Sequence, residues 1–132
     1  GAGLVSTTED YARFGDALAC GGVSKDGARI LKPETIELMK TNLLGPVSRE
    51  EIARNMGRTG YGYACGVQVL LEPELLNSPA PAGLFGWDGA AGSILMMDSA
   101  SKLSCVYTIH VRNCGFAYGE VHPTLRDLLF AK

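Results

Sequence analysis

The sequence predicts an α+β fold in which helices pack on an antiparallel sheet. Helix-start signals dominate residues 1–57, an apolar period of two marks antiparallel strands over residues 58–112, and helical spacing returns over residues 117–132. An order of helices, then strands joined by a turn, then a terminal helix is typical of α+β proteins. We expect residues 1–132 to form a single domain or a fragment of one, and no internal repeat is visible.

The first 57 residues carry signals for three helices. Two overlapping Ser/Thr-x-x-acid capping boxes in residues 6–10 predict the start of the first helix, and the Gly-Gly pair at 21–22 supplies its left-handed end. Pro33 fits the first position of a second helix, and Ser48 with Glu51 is predicted to cap a short third one. We expect these helices to serve as scaffold.

Strands are predicted where large and small side chains alternate along the chain. One strand is expected over residues 61–71, a second over 84–87, a third over 93–97 and a fourth over 103–111. The third is too apolar to face water on either side. Residues 98–102 are rich in turn formers and predict a hairpin between the last two strands.

Composition excludes several partner classes. Twelve basic and fourteen acidic residues give a formal charge of -2 without a basic run, so neither nucleic acid nor an anionic membrane surface is an expected partner. The longest apolar runs, such as residues 94–97, are far shorter than the ~20 residues that span a bilayer. Membrane insertion is therefore not predicted.

The four cysteines and two histidines do not have the spacing of a metal site. The cysteines lack a Cys-x-x-Cys pair, so no metal and no cofactor is expected. We interpret them as small buried hydrophobes of a reducing, cytoplasmic compartment, with a disulfide left open. They are Cys20, Cys65, Cys105 and Cys114.

Candidate nucleophiles and bases are few. The one Ser-x-x-Lys, Ser99 to Lys102, falls in the predicted hairpin turn, where the two side chains have no reason to converge, so we interpret it as non-catalytic. His110 lies on the polar face of its predicted strand and His122 precedes a helix-starting proline. Both are expected to be surface or capping groups.

Residues 85–92, Phe-Gly-Trp-Asp-Gly-Ala-Ala-Gly, combine three glycines and two alanines around one large aromatic side chain. Strand glycines are typical of places where a ligand or another backbone must come close, and small neighbours leave main-chain N–H groups uncovered. The alternative is that Gly89 and Gly92 only shape a bend between strands.

Four segments in this order resemble the C-terminal half of the serine β-lactamase-like family, which includes class C β-lactamases, esterases, D-peptidases and penicillin-binding proteins. The resemblance covers essentially the whole chain, and it rests on the order of the segments because none is specific alone. They are GLVST-x-x-DY-x-x-F at 3–14, ILKPETIELM at 30–39, GYGY at 60–63 and FGWDGAAG at 85–92.

The resemblance implies a site at the last segment. In the family a nucleophilic serine precedes a lysine by three residues, a Tyr-x-Asn assists proton transfer, and a Lys-Thr-Gly, His-x-Gly or Trp-x-Gly faces the serine. Trp87, Asp88 and Gly89 match this third element. They are therefore expected to contact a small-molecule or peptide-like acyl substrate, and the backbone N–H of Ala90 is expected to form part of the oxyanion hole.

The resemblance also implies that the chain is incomplete. The Ser-x-x-Lys and Tyr-x-Asn elements lie upstream of the Gly-Leu-x-Ser-Thr segment in the family, and this chain begins at that segment with Gly1 rather than Met. We expect a C-terminal fragment that is inactive without the missing N-terminal half of the same protein. Without that half, the 103–111 strand would be an exposed sheet edge through which the isolated chain is expected to self-associate as a homo-oligomer.

The form of the third element bears on substrate and function. Trp87 replaces the cation that binds the substrate carboxylate in β-lactamases. Asp88 would repel that carboxylate, unless its side chain turns outward or binds a substrate amine. A neutral ester or amide is therefore favoured over a penicillin.

Two functions stay open: a serine hydrolase acting through an acyl-enzyme on an ester, amide or β-lactam, and a non-catalytic binding or sensing module. Family members are often extracytoplasmic, so the compartment also stays open.

Overall fold

The computed structural model describes residues 3–131, and this part of the chain forms four α-helices and a five-stranded antiparallel sheet of order β1-β2-β3-β4-β5. This confirms the predicted α+β class. A 3₁₀ turn at Pro73–Leu76 precedes β3, and a π-helical turn at Ala117–Val121 precedes α4. The elements are α1 (Thr8–Ala19), α2 (Pro33–Met39), α3 (Pro46–Met56), β1 (Tyr61–Ala64), β2 (Val67–Leu70), β3 (Phe85–Asp88), β4 (Ile94–Asp98), β5 (Leu103–Tyr107) and α4 (His122–Phe130).

The sheet has an apolar core on each face. Leu95 and Met97 of β4 pack with α1 and α2, while Ile94 and Met96 pack with α4, because successive side chains of a strand point to opposite faces. All five residues of β4 are buried, as its apolar sequence predicted. The layers are therefore helix, sheet and helix, with β4 at the centre of both cores.

Helix α1 begins and ends where its sequence predicted. The Thr7 hydroxyl accepts a hydrogen bond from the Asp10 amide at 3.1 Å, and Gly21 and Gly22 follow the helix with φ of 72° and 82°. Gly15 lets the helix approach the sheet closely, since a Cβ there would lie 2.7 Å from the Leu95 side chain. No helix over residues 3–131 is long and apolar enough to cross a membrane.

The predicted cap of the third helix is wrong. Helix α3 begins at Pro46 with Gly45 as its N-cap, so Ser48 and Glu51 lie inside the helix. Proline at the first helical position needs no N–H partner and has a helical φ, which allows the helix to start earlier than the capping box. The helix ends at Gly57, which has a φ of 64°.

The strand predicted over residues 61–71 is a hairpin. Strands β1 and β2 pair from Tyr61 opposite Leu70 to Ala64 opposite Val67, and Cys65 and Gly66 form a two-residue turn with φ of 49° and 85°. Positive φ at both positions matches the twist of a tight hairpin. A two-residue turn does not shift the alternation of large and small side chains between the two strands. The sequence pattern therefore gave no sign of the turn.

The last strand is shorter than predicted. Strand β5 ends at Tyr107, and His110 lies beyond it as an exposed residue of an irregular segment. Within residues 3–131, β5 pairs only with β4 and forms one edge of the sheet. Self-association through that edge stays a prediction.

Gly86 of β3 is a position where the backbones of two strands come too close for a side chain. Its φ is 155°, and a Cβ there would lie 1.9 Å from the carbonyl oxygen of Leu95. We expect Gly86→Ala to lower the free energy of unfolding by about 3 kcal/mol, because the clash is with paired backbone. Urea denaturation followed by circular dichroism measures this difference. The control is Gly119→Ala, where a Cβ meets nothing within 4 Å. Equal stability of the two variants would contradict the expectation.

Asp98 fixes the turn between β4 and β5. Its carboxylate accepts hydrogen bonds from the amides of Ala100 and Ser101 at 3.2 and 3.0 Å, and from the Ser101 hydroxyl at 2.6 Å. Burial raises the pKa of this carboxyl, but the hydrogen bonds from Ser101 and Ala100 and the charge of Lys40 outweigh it, so the pKa lies below its ordinary value.

We expect Asp98→Asn to lower the free energy of unfolding at pH 7 by about 1–2 kcal/mol, because an amide accepts weaker hydrogen bonds than a carboxylate. Since the folded pKa lies below the unfolded value of about 3.9, the carboxylate stabilises the fold fully above that pH and loses this effect as the pH falls through the folded pKa. Urea denaturation at pH 7, 5, 4 and 3 should show the difference between wild type and variant shrink only below about pH 4.

The control for this prediction is Asp26→Asn, which changes an exposed aspartate and should alter stability by less than about 0.5 kcal/mol. A wild-type advantage over Asp98→Asn that persists unchanged at the lowest pH would show that the charge of Asp98 is not its source.

Candidate functional site

The glycine loop, residues 89–93, joins β3 to β4 and carries the predicted oxyanion donor. The Gly89 amide donates to the Ser93 carbonyl at 2.8 Å, and the Gly92 amide donates to the Gly89 carbonyl at 2.9 Å. The second bond closes a tight turn with Ala90 and Ala91 at its centre. Gly92 has a φ of 86°, and a Cβ there would lie 2.9 Å from the Ile109 side chain, so both its conformation and its surroundings require glycine.

The Ala90 amide is free of the sheet. The last pair between β3 and β4 is Asp88 with Ile94, so Ala90 lies beyond the paired part of the strands. Ala90 is exposed, and among residues 3–131 its N–H takes part in no hydrogen bond. The amide can therefore receive an external acceptor. That it does so in an oxyanion hole stays a prediction.

The π-helical turn and the first residue of α4 form hydrogen bonds to the glycine loop. The Tyr118 hydroxyl donates to the Gly89 carbonyl at 2.9 Å, and the His122 Nε2 lies 2.7 Å from the Gly92 carbonyl oxygen. Because a carbonyl only accepts, Nε2 carries a proton and donates. The loop is thus tied at both ends to the last helical segment of the chain.

The segment after β5 also forms hydrogen bonds to the glycine loop. The Ser93 hydroxyl donates to the Ile109 carbonyl at 3.0 Å and accepts from the Ile109 amide at 3.1 Å, while the Val111 amide donates to the Ala91 carbonyl at 3.1 Å. With four of its residues hydrogen-bonded to neighbouring segments, the loop presents the Ala90 N–H in a fixed position.

His122 is buried, which corrects its interpretation as a surface or capping group. Its ring is 4% exposed and lies edge-on to Tyr107 and Tyr118 at centroid distances of 6.3 and 5.4 Å. His122 Nδ1 lies 3.7 Å from the Asp88 carboxylate and has no hydrogen-bond partner in the described part of the chain.

Asp88 points to the α4 side of the sheet instead of outward. It is opposite Ile94, whose side chain packs toward α4, and it is 8% exposed. Its carboxylate pairs with the Arg58 guanidinium, which is also largely buried. A buried carboxylate with a bonded cation is neutralised, so this geometry gives no support to contact with a substrate amine.

Trp87 lies on the opposite face of β3 from Asp88. It is opposite Leu95, which packs on the α1 side, and its ring is edge-on to Tyr63 at 5.3 Å. The Arg58 guanidinium carbon lies 5.9 Å from the centre of the Trp87 ring. Strand β2 pairs with β3 only through Phe85 and Gly86, so Trp87 lies beyond the end of that pairing. Its ring is partly buried, and its role as an apolar wall for a substrate stays a prediction.

A cleft of about 600 Å³ lies beside the glycine loop. Ser6, Thr7 and Thr8 line it from the start of α1, and Ser93 and His110 line it from the sheet side. The Thr8 and Thr108 hydroxyls lie 2.9 Å apart and connect the two sides. The residues just before α1 therefore form part of the wall of this cleft.

The Ser99 to Lys102 motif is placed away from the glycine loop. It follows β4, whereas the loop precedes β4, so the five residues of the strand separate them by about 16 Å. This agrees with its interpretation as non-catalytic.

A second polar group on α4 joins the helix to β1. Arg126 donates to Asp127 at 2.7 Å and to the Tyr61 hydroxyl at 3.0 Å. Burial lowers the pKa of Arg126, but these two partners outweigh it and raise the pKa. Burial raises the pKa of Asp127, but the hydrogen bonds from Arg126 and Ser78 bring it below its usual value. Both side chains are therefore charged and paired.

The cysteines differ in part from their interpretation as buried hydrophobes. All four are free; Cys20 and Cys65 are exposed, whereas Cys105 and Cys114 are partly buried. Burial raises the pKa of the Cys105 thiol. Across residues 3–131, no three histidine, cysteine or acidic side chains are grouped so as to hold a metal ion.

Sequence reasoning missed Arg58, Tyr118 and Tyr63 as parts of this site. Tyr63 lies in the GYGY segment, which gave no sign of a contact with Trp87, and Arg58 is 30 residues from its partner Asp88. An isolated arginine after a predicted helix gives no signal, because only the folded chain brings it to β3.

Comparison with known proteins gives matches to proteins much longer than this chain. A family model described as Beta-lactamase matches residues 1–116. Protein Rv1367c of Mycobacterium tuberculosis is 34% identical over 113 residues, which cover 83% of this chain and 28% of that protein. The chain thus spans less than a third of the length of the curated relatives it matches.

Two solved structures have a similar fold. EstCE1, described as a hydrolase with promiscuous acyltransferase activity, matches with a TM-score of 0.74 and 23% identity over 99% of this chain and 31% of its own. Unliganded simvastatin synthase LovD of Aspergillus terreus matches with a TM-score of 0.68 and 18% identity over 92% of this chain and 33% of its own. With a fold, a motif order and a family match that agree, this chain belongs to the β-lactamase family.

Proposed function

We propose that this chain is the C-terminal segment of a β-lactamase-related serine hydrolase that acts through an acyl-enzyme on an ester, amide or β-lactam. It would supply strand β3, which faces the substrate, and one oxyanion-hole donor. The observation that carries the proposal is the exposed Ala90 amide, which has no partner among residues 3–131 and sits on a loop that is held in place.

The chemistry needs a donor of this kind. Attack of a serine on an acyl carbonyl turns the carbonyl oxygen into an oxyanion, and a fixed N–H aimed at that oxygen lowers the barrier by about 3–4 kcal/mol. A donor that is already fixed costs no reorganisation during the reaction. Hydrogen bonds from Tyr118, His122 and Val111 to the glycine loop provide this rigidity.

The nucleophile would come from the upstream half of the same protein. The one Ser-x-x-Lys of the chain lies at the far end of β4, and the chain corresponds to only 28–33% of the proteins it matches. The isolated chain would therefore be inactive. The edge strand β5 is a suitable partner for an upstream strand, and the cleft beside Thr7 and Ser93 is where the upstream chain would enter.

Trp87 favours a neutral substrate. It occupies the position at which β-lactamases of the family place a cation, and its ring packs against Tyr63 as an apolar surface. Asp88 plays no part in this preference, since it lies on the other face and is paired with Arg58. The description of EstCE1 as a hydrolase with acyltransferase activity is consistent with acyl transfer on this fold.

We expect Ala90→Pro in the full-length protein to lower kcat for a p-nitrophenyl ester about 10²- to 10³-fold, because proline removes the N–H. Ala90 is the second residue of its turn, where proline is well accommodated. The matched control is Ala90→Ser, which keeps the N–H and should retain kcat within about threefold. Full activity of the proline variant would reject Ala90 as the donor. If the full-length wild type hydrolyses no ester, amide or β-lactam, a binding or sensing module is favoured instead.

We also expect the full-length protein to have a higher kcat/KM on a p-nitrophenyl ester than on nitrocefin, because Trp87 provides no cation for the cephalosporin carboxylate. Trp87→Lys should raise the ratio of nitrocefin to ester kcat/KM by about tenfold or more, and Trp87→His, which adds no fixed charge at pH 8, should not. A wild-type preference for nitrocefin would contradict a neutral substrate while leaving the role of Ala90 open to its own test.

A further inference from the structure

The peptide group between Gly89 and Ala90 carries the proposed oxyanion donor at one end and a hydrogen-bonded carbonyl at the other. The Gly89 carbonyl and the Ala90 N–H belong to this one planar group, and in a trans peptide they point in opposite directions. The carbonyl points toward Gly92, whose amide donates to it across the turn, so the Ala90 N–H points away from the turn. Fixing the carbonyl therefore fixes the direction of the N–H.

Two donors bind the Gly89 carbonyl oxygen. The Gly92 amide donates to it at 2.9 Å from within the glycine loop, and the Tyr118 hydroxyl donates to it at 2.9 Å from outside the loop. A carbonyl oxygen has two lone pairs, so each donor can use one of them. The hydrogen bonds from His122 and Val111 reach later peptide groups of the loop. Tyr118 thus contacts the peptide group of the donor itself.

The helical segment that runs from the π-helical turn into α4 determines where Tyr118 lies. Tyr118 and His122 are four residues apart and share one face of this segment, and their rings lie edge-on at a centroid distance of 5.4 Å. The His122 backbone N–H donates to the Ala117 carbonyl, five residues earlier, which is the π-helical pattern. Pro123, which follows, has no N–H to donate to the preceding turn. The buried His122 ring therefore supports the Tyr118 ring from within the molecule.

We propose that Tyr118 is a positioning residue for the oxyanion donor. Its hydroxyl holds the Gly89 carbonyl in place and draws electron density from the peptide group, which directs the Ala90 N–H outward and makes it a stronger hydrogen-bond donor. Under the proposed function, on which this inference rests, that N–H binds the oxyanion. Because the oxyanion charge develops only in the transition state, Tyr118 should affect kcat and not KM.

We expect Tyr118→Phe in the full-length protein to lower kcat for a p-nitrophenyl ester about five- to tenfold, with KM within about twofold of wild type. This fall is smaller than that for Ala90→Pro, because the N–H remains and the Gly92 amide still binds the carbonyl. The matched control is Tyr107→Phe, which removes a hydroxyl from the other ring edge-on to His122 and should keep kcat within about twofold. An unchanged kcat in Tyr118→Phe beside a lowered kcat in Ala90→Pro overturns the proposal and leaves Ala90 as the donor.

The double variant Ala90→Pro/Tyr118→Phe separates positioning of the donor from a general structural effect. Once proline has removed the N–H, the Tyr118 hydroxyl has no donor left to orient. The kcat of the double variant should therefore match that of Ala90→Pro within about twofold. A further fall of about five- to tenfold would mean that the two residues act independently, and it would overturn the proposal.

A measurement without turnover tests the same contact. In the ¹H–¹⁵N spectrum of the full-length protein labelled with ¹⁵N-alanine, the Ala90 signal is assigned by its absence in Ala90→Ser. We expect its ¹⁵N shift to move upfield in Tyr118→Phe by more than in Tyr107→Phe, because the carbonyl of its peptide group has lost a donor. Equal shifts in the two variants overturn the proposal. If the wild type hydrolyses no ester, amide or β-lactam, the proposed function fails, while this spectrum still decides whether Tyr118 sets the state of the Ala90 amide.

Discussion

The hydrogen bond from the buried His122 ring to the Gly92 carbonyl is the contact on which the arrangement of this molecule depends. It connects α4 to the glycine loop across the packed face of the sheet. Gly92 has a positive φ and a Cβ there would clash with Ile109, while the His122 ring lies edge-on to Tyr107 and Tyr118. The position of the Ala90 amide therefore depends on the last helix of the chain as well as on the strand that carries it.

Trp87 and Asp88 of strand β3 point to opposite faces of the sheet. Trp87 is opposite Leu95, whose side chain packs on the α1 side, while Asp88 faces α4 with Arg58 and His122. Arg58 touches both residues, since its guanidinium pairs with Asp88 and lies near the Trp87 ring. The charge of Asp88 is thus paired with Arg58, and the proposed substrate contact on this strand is left to the Trp87 ring.

Local features of the fold could be predicted from the sequence, and features that depend on distant residues could not. The cap at Thr7, the glycines after α1 and the buried run of β4 follow from residues within a few positions of one another. The β1–β2 turn was missed because two residues preserve the alternation on either side. Burial of His122 and Asp88 was missed because their partners lie about 30 residues away, where spacing carries no information.

The proposed function places the attacking serine outside this chain, and that proposal has a physical consequence for catalysis. An oxyanion donor needs a fixed position relative to the attacking oxygen, and the fixing of the glycine loop is achieved by contacts within residues 89–122 alone. The proposed attacking serine would then lie on an upstream part of the same protein, provided that this part docks reproducibly. Within residues 3–131, the edge of β5 and the cleft at the start of α1 would be the surfaces for such docking, and both adjoin residues that form hydrogen bonds to the loop. The geometry of attack would therefore be set by the docking of the upstream part onto a loop that is already rigid. Disorder in α4 or in the upstream part would then move the Ala90 amide away from the attacking serine.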